Sequence, residues 1–174
     1  MPDVPEPLPR SAAASGPYRI ALVCLGNICR SPMAHVVLES KLREAGLAGT
    51  VEVASSGTGD WHVGRPMDTR AAAALTGGGY DGSAHRARQF DATWLDHDLV
   101  LVMDEANLAD VRALGGSADR VRLFREFDPV DPGSDVPDPY YGGEDGFREV
   151  LTMVERTSAA LVAALRAARV GSGS

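Results

Sequence analysis

Tyr18-Arg-Ile-Ala-Leu-Val-Cys24-Leu-Gly-Asn-Ile-Cys-Arg30-Ser-Pro-Met-Ala34 changes character twice along its length. Tyr18 to Val23 is a short apolar run suited to a buried strand. From Pro32 the period changes: Ala34, Val37, Leu38, Leu42 and Ala45 fall on one helical face, and Gly46 caps the end. A junction where a strand ends and a helix begins is a natural anion site. The free N–H groups of the first helical turn and the positive end of the helix dipole both point into it. Gly26 lets the backbone curl around a bound anion, and Asn27 tolerates left-handed geometry. Pro32 suits the first helical position, where its missing N–H costs nothing.

The side chains give the junction a chemistry. Cys24 and Arg30 are the ends of a C-x5-R loop. A thiol ringed by inward N–H groups and a guanidinium favours its thiolate, a strong nucleophile. Arg30 presents a planar fork that matches two oxygens of a tetrahedral oxyanion. Ser31 can donate to the sulfur and ease its later departure. Leu25, Gly26, Asn27, Ile28 and Cys29 complete the phosphate-binding loop. Such parts allow a phosphoryl-cysteine intermediate without a metal or cofactor. An isolated C-x5-R could equally be a buried thiol beside a surface arginine. The strand on one side and Ser-Pro plus helix on the other favour the anion site.

Working outward, Val51–Ala54, Asp98–Met103 and Arg120–Phe124 read as further strands. Asp68–Leu75 reads as a helix stopped by Gly77-Gly-Gly79, and Glu105–Leu114 as another ended by Gly115-Gly116. Phe147, Val150, Leu151, Val154, Leu161, Val162 and Leu165 mark one face of the last helix. Strands alternating with helices predict an α/β domain with a mainly parallel sheet, whose ligands sit beyond the carboxyl ends of the strands. Gly77-Gly-Gly-Tyr-Asp-Gly82 fits G-x-G-x-x-G literally, but it follows a helix, where a dinucleotide site needs a strand. We read residues 1–17 as a flexible leader, 18–168 as one domain and 169–174 as a flexible tail.

Composition narrows the function classes. The 174 residues carry 17 Lys plus Arg against 24 Asp plus Glu, a net charge of −7 that argues against broad nucleic-acid binding. No apolar run approaches the ~18 residues of a membrane span, and the leader lacks the basic start and apolar stretch of a secretory signal. A cytoplasmic protein is the expectation. Cys24 and Cys29 are the only cysteines, and His35, His62, His85 and His97 are scattered, so the spacing gives no zinc site. Cys29 has two readings: a packed small residue, or a resolving thiol that pairs with Cys24 on oxidation.

Residues 126–145 hold seven acids and no Lys or Arg. Most of these acids read as a solvated loop, and composition alone does not choose among them. Asp138 stands out because Pro137 and Pro139 stiffen the chain around it and two tyrosines follow. Expelling a phenol of pKa ~10 is easier when an acid protonates it, which predicts an activity optimum on the acid side of neutral. Trp61, Tyr140 and Tyr141 read as pocket walls that stack on an aromatic ring. We read His35 as a surface residue.

Val23-Cys-Leu-Gly-Asn-Ile-Cys-Arg-Ser-Pro-Met-Ala34 resembles the signature of the low-molecular-weight protein tyrosine phosphatases. Ser55-Ser-Gly-Thr58 with Trp61-His-Val-Gly64, His85-Arg-Ala-Arg-Gln89, Val102-Met-Asp-Glu-Ala-Asn-Leu108 and Asp138-Pro-Tyr-Tyr-Gly142 look like further segments of that family, in family order. The resemblance implies a four-stranded parallel sheet with helices on both faces, a Rossmann-like three-layer α/β/α domain. It implies Cys24 as nucleophile, Arg30 as binder of phosphate and transition state, and Asp138 as general acid, then base. Asn27, Ser31, Ser55 and His85 would correspond to the network that shapes the loop. The implied partners are phosphotyrosine proteins as substrates and inorganic phosphate or other oxyanions as product or inhibitor.

Two rival readings share these residues. A thioredoxin-coupled arsenate reductase uses the same loop but relies on further cysteines beyond it, and this chain has none after Cys29. A phosphotyrosine-binding or redox-sensing module without turnover should lack the nucleophile or the acid, and both are present.

Overall fold

The computed structural model describes residues 7–11, 13 and 15–170. In chain order the elements are β1 (Tyr18–Cys24), α1 (Arg30–Glu44), β2 (Val51–Gly57), α2 (Thr69–Gly77), β3 (Leu99–Val102), α3 (Glu105–Ala113), β4 (Val121–Leu123) and α4 (Glu144–Ala168). The four strands form one parallel sheet in the order β2-β1-β3-β4. The chain winds from β1 outward to β2, then returns past β1 to build β3 and β4. That reversal puts the ligand crevice beyond the carboxyl end of β1.

Alternation along the strands divides the core in two. Tyr18, Ile20, Leu22, Leu99 and Leu101 face one side with Met33, Val37, Leu38 and Leu42 of α1 and Phe147, Val150, Val154 and Leu161 of α4. Ala21, Val23, Val100 and Val102 face the other, where Leu108 and Val111 of α3 meet Phe90 and Val121. Helices therefore cover both faces, as expected.

Local chemistry sets the helix ends. Asp68 caps α2 by accepting from Arg70 N (2.8 Å), and Gly78 and Gly79 (φ +89°) stop it. The G-x-G-x-x-G look-alike is thus a helix stop. Asp104 caps α3 through Asn107 N (2.8 Å). The strand expected over Arg120–Phe124 is shorter, because Phe124 starts a 3-10 turn, Phe124–Phe127. Val121 serves one core and Phe124 the other, so the chain must turn between them.

Part of the leader lies against the domain. Tyr18 Oη donates to Pro9 O (2.9 Å), Arg122 Nη1 to Pro7 O (3.1 Å) and Arg120 Nη2 to Arg10 O (3.1 Å), while Leu8 packs on the larger core. The flexibility expected of residues 1–6, 12, 14 and 171–174 lies outside the described residues. Among the described residues no helix is long and apolar enough to cross a membrane.

Candidate active site

The loop between β1 and α1 sorts its polar groups by direction. Its carbonyls are tied to the periphery: Cys24 O and Leu25 O accept from Thr58 N and Gly59 N (2.9 Å each), Ile28 O from Asp68 N (2.9 Å) and Asn27 O from His85 Nε2 (2.7 Å). Among the described residues the N–H groups of Leu25, Gly26, Ile28, Cys29 and Arg30 meet no acceptor, and Asn27 N points at Cys24 Sγ (3.3 Å). Outward carbonyls with unclaimed amides make a nest for an anion.

Asn27 holds this shape. It is fully buried at φ +56°, a conformation that Asn tolerates better than most residues. Its Nδ2 donates to Ser31 Oγ (2.8 Å) and its Oδ1 accepts from Arg88 N (2.9 Å). Ser31 Oγ lies 3.0 Å from Cys24 Sγ and 3.3 Å from Ser56 O, so its one proton has a choice of two acceptors. His85 faces a carbonyl and must carry its proton on Nε2. Burial holds its pKa below the ordinary histidine value against that bond's opposing pull. Gly57 lets the neighbouring strand approach, since a Cβ there would stand 2.6 Å from Leu25 O.

Arg30 is buried and aimed. Its Nη1 donates to Asp104 Oδ2 (2.7 Å) and Val136 O (3.1 Å). Among the described residues Nε and Nη2 meet no hydrogen-bond acceptor. Asp138 Oδ2 stands 3.7 Å from Nη2, and Asp138 Oδ1 accepts from Tyr140 N (3.0 Å). Burial works against the Arg30 charge, but Cys24, Asp104 and Asp138 outweigh it and raise its pKa further. Cys24, Leu25, Gly26, Ile28, Cys29 and Arg30 floor a cavity of about 370 Å³ walled by Trp61, His62, Asp138, Tyr140 and Tyr141. Both cysteines are free thiols. Burial, then Asp68, the Cys24 sulfur and Asp138, push the Cys29 thiol up, so it stays protonated at neutral pH.

The model of the family "Low molecular weight phosphotyrosine protein phosphatase" matches residues 19–170. The chain belongs to this family. It is 49% identical over 155 residues to a low molecular weight protein-tyrosine-phosphatase of Streptomyces coelicolor, covering 86% of this chain and 94% of that one. It is 45% identical over 143 residues to the low molecular weight protein-tyrosine phosphatase A of Mycobacterium tuberculosis, covering 81% and 87%. Among solved structures, YfkJ from Bacillus subtilis superposes with a TM-score of 0.82 at 30% identity, covering 89% of this chain and 98% of that one.

In this phosphatase-family chain every expected site residue except Ser55 lies at the loop, its hydrogen-bond network or its cavity. Ser55 Oγ instead meets His35 Nδ1 (3.1 Å), and Ser56 O is the group that reaches Ser31. His35 is correspondingly not the surface residue expected: it is half-buried between Ser55 and Glu39. Asp128 is one acid of the 126–145 loop that is not solvated: it is 1% exposed and pairs with Arg125 (2.9 Å) and Arg156 (2.8 Å).

Three residues escaped the sequence reading. Asp104 anchors Arg30 from 74 positions away; it lies in the family-like segment Val102–Leu108, but nothing in the sequence assigns it that partner. His62 lines the cavity against Gly26, where a Cβ would come within 3.0 Å of its ring. Arg70, at the start of α2, reaches Gly142 O (3.3 Å) and lies over the Tyr140 ring.

Proposed function

We propose that this protein is a protein-tyrosine phosphatase that works through a phosphocysteine on Cys24. The observation that carries the reading is the loop after Cys24, with its carbonyls tied outward, Asn27 N on Cys24 Sγ and five further amides that meet no acceptor among the described residues. The Cys24 thiolate attacks phosphorus in line with the phenolic oxygen. As the S–P bond forms and the P–O bond breaks, Asp138 gives its proton to the leaving oxygen. The loop amides and the Nε and Nη2 groups of Arg30 take up the negative charge on the transferring group. Asp138, now a carboxylate, then takes a proton from water as that water attacks phosphorus. The sulfur leaves as thiolate with Ser31 Oγ donating to it, and inorganic phosphate is released.

Trp61, Tyr140 and Tyr141 supply aromatic surface for a phenyl ring. Other oxyanions that fit the loop would inhibit. A cytoplasmic setting belongs to the same reading, supported by two free thiols of which one reacts.

The test is hydrolysis of p-nitrophenyl phosphate with EDTA present, by the wild type and by Cys24→Ser. Turnover that disappears in the variant supports the reading. No turnover by a folded, reduced wild type overturns it.

A further inference from the structure

The two halves of the cavity come from distant parts of the chain, and one side chain spans them. Arg70 lies in the first turn of α2. Its Nε and Nη2 fork onto Asp68 (3.2 Å to Oδ1 and 3.1 Å to Oδ2), and Asp68 N in turn donates to Ile28 O of the Cys24 loop (2.9 Å). On its other side Arg70 Nη1 donates to Gly142 O (3.3 Å). The guanidinium stands 5.4 Å from the centre of the Tyr140 ring and 4.7 Å from that of Phe147, at the start of α4. Tyr140 N is the group that holds Asp138 Oδ1. A continuous path therefore runs from the nucleophile loop through Asp68, Arg70 and Tyr140 to the Asp138 carboxyl.

Asp138 needs such a path. Its side chain is 40% exposed, and among the described residues its polar contacts are Tyr140 N and a 3.7 Å approach to Arg30. Prolines on both sides stiffen the backbone but do not fix where the segment sits relative to Cys24. A cation over an aromatic ring, joined to a backbone hydrogen bond two residues further on, fixes that relation without entering the cavity.

We propose that Arg70 is a positioning residue for the general acid, and that it sets how well the enzyme handles phosphate esters with poor leaving groups. The inference rests on the phosphatase reading above. Arg70 is absent from the cavity lining and moves no proton itself. It holds the segment bearing Asp138 at the distance from which the carboxyl can protonate the departing oxygen. An ester such as phosphotyrosine or phenyl phosphate depends on that proton, because the phenolate it would otherwise release is strongly basic. p-Nitrophenyl phosphate depends on it far less, since its leaving oxygen is stable as an anion.

The test is a pair of substrates and two variants. Arg70→Ala should lower kcat/KM on phenyl phosphate roughly tenfold while changing kcat/KM on p-nitrophenyl phosphate less than about twofold, because kcat/KM reads the step in which the phenolic oxygen leaves and not the phosphocysteine hydrolysis that both substrates share. Arg70→Lys keeps the cation but not the fork, so it should recover part of the loss on phenyl phosphate. Equal loss on both substrates would mean that Arg70 merely supports α2, and would overturn the proposal. So would full activity of Arg70→Ala on phenyl phosphate. Absence of Cys24-dependent turnover in the wild type is a distinct result, and it would remove the phosphatase reading itself. Arg70 is partly exposed at a helix start, so both variants should fold. A thermal melt within a few degrees of wild type confirms this before the rates are compared.

Discussion

Cys24–Ser31 and Asp138–Gly142 face each other across one cavity but are held in opposite ways. In the first, Cys24, Asn27, Cys29, Arg30 and Ser31 are each 5% exposed or less, and nearly every carbonyl and side chain has a fixed partner. In the second, Tyr141 is 92% exposed and Asp138 is steadied from the surface. The contrast separates two kinds of work. Binding a tetrahedral group rewards donors that need no rearrangement when charge develops. Delivering a proton to a leaving group of variable shape tolerates a segment with a few weak tethers, which sits at the low-stability end of the molecule.

Substitutions can break that comparison in a definite order. Arg30→Lys should be the most damaging after loss of the nucleophile. A single ammonium cannot serve Asp104, Val136 O and two phosphate oxygens together, so kcat/KM should fall by roughly 10²–10³ with the fold intact. Asp138→Asn should lower kcat/KM by about 10² on phenyl phosphate and much less on p-nitrophenyl phosphate, because in the step that kcat/KM reads only the proton for the leaving oxygen is lost. It should also flatten the pH–rate profile where the wild type favours the acid side of neutral. A profile of unchanged shape would remove Asp138 from the mechanism.

Asp104→Ala sits between the two halves, since it frees Arg30 without touching substrate. It should cost about tenfold in kcat/KM and roughly 2 kcal/mol in stability, from a charged hydrogen bond and a helix cap lost together. Tyr141→Ala should change KM by about twofold and stability hardly at all, as for an exposed side chain. A large stability loss there would mean that the acid segment is built into the fold rather than tethered at its surface.

Asp128 sharpens the contrast from just outside the site. Burial raises its pKa, but hydrogen bonds from Arg156, Val130 N and Arg125 outweigh this and hold it at about 2. A carboxyl whose folded value lies below its unfolded one stabilises the protein above about pH 4 and loses that contribution as pH falls toward 2. The window should carry roughly 2 kcal/mol, read from urea midpoints across pH 2–5. Asp128→Asn should remove most of that slope. The start of the acid-rich segment is thus pinned inside the protein, while Asp138 in its middle is tethered from the surface.

The same division decides what could be read in advance. The Cys24 loop is contiguous, so strand, turn residues, nucleophile and helix start announce one another within a single window. The parallel sheet followed from alternation of apolar runs for the same reason. Asp104, Arg70 and His62 are ordinary residues by type, and their roles come from partners tens of positions away. The burial of His35 and of Asp128 is not legible in sequence, because burial of a polar side chain depends on what another element brings to it: Ser55 of β2 for one, Arg156 of α4 for the other. The extra residues given to β4 came from an apolar run that, in the fold, crosses between two cores.

All four strands point the same way, so the sheet has a working pole and a quiet one. Tyr18 opens β1 and Cys24 closes it, which sets the two poles roughly 20 Å apart at about 3.3 Å per residue. Pro7 to Arg10 grip the quiet pole through Tyr18, Arg120 and Arg122. An affinity handle, a fluorescent reporter or a surface tether attached ahead of Pro7 therefore joins the molecule at the end remote from its cavity. Immobilised by that end, the protein would present its pocket to solution, a practical geometry for dephosphorylating substrates in a flowing sample.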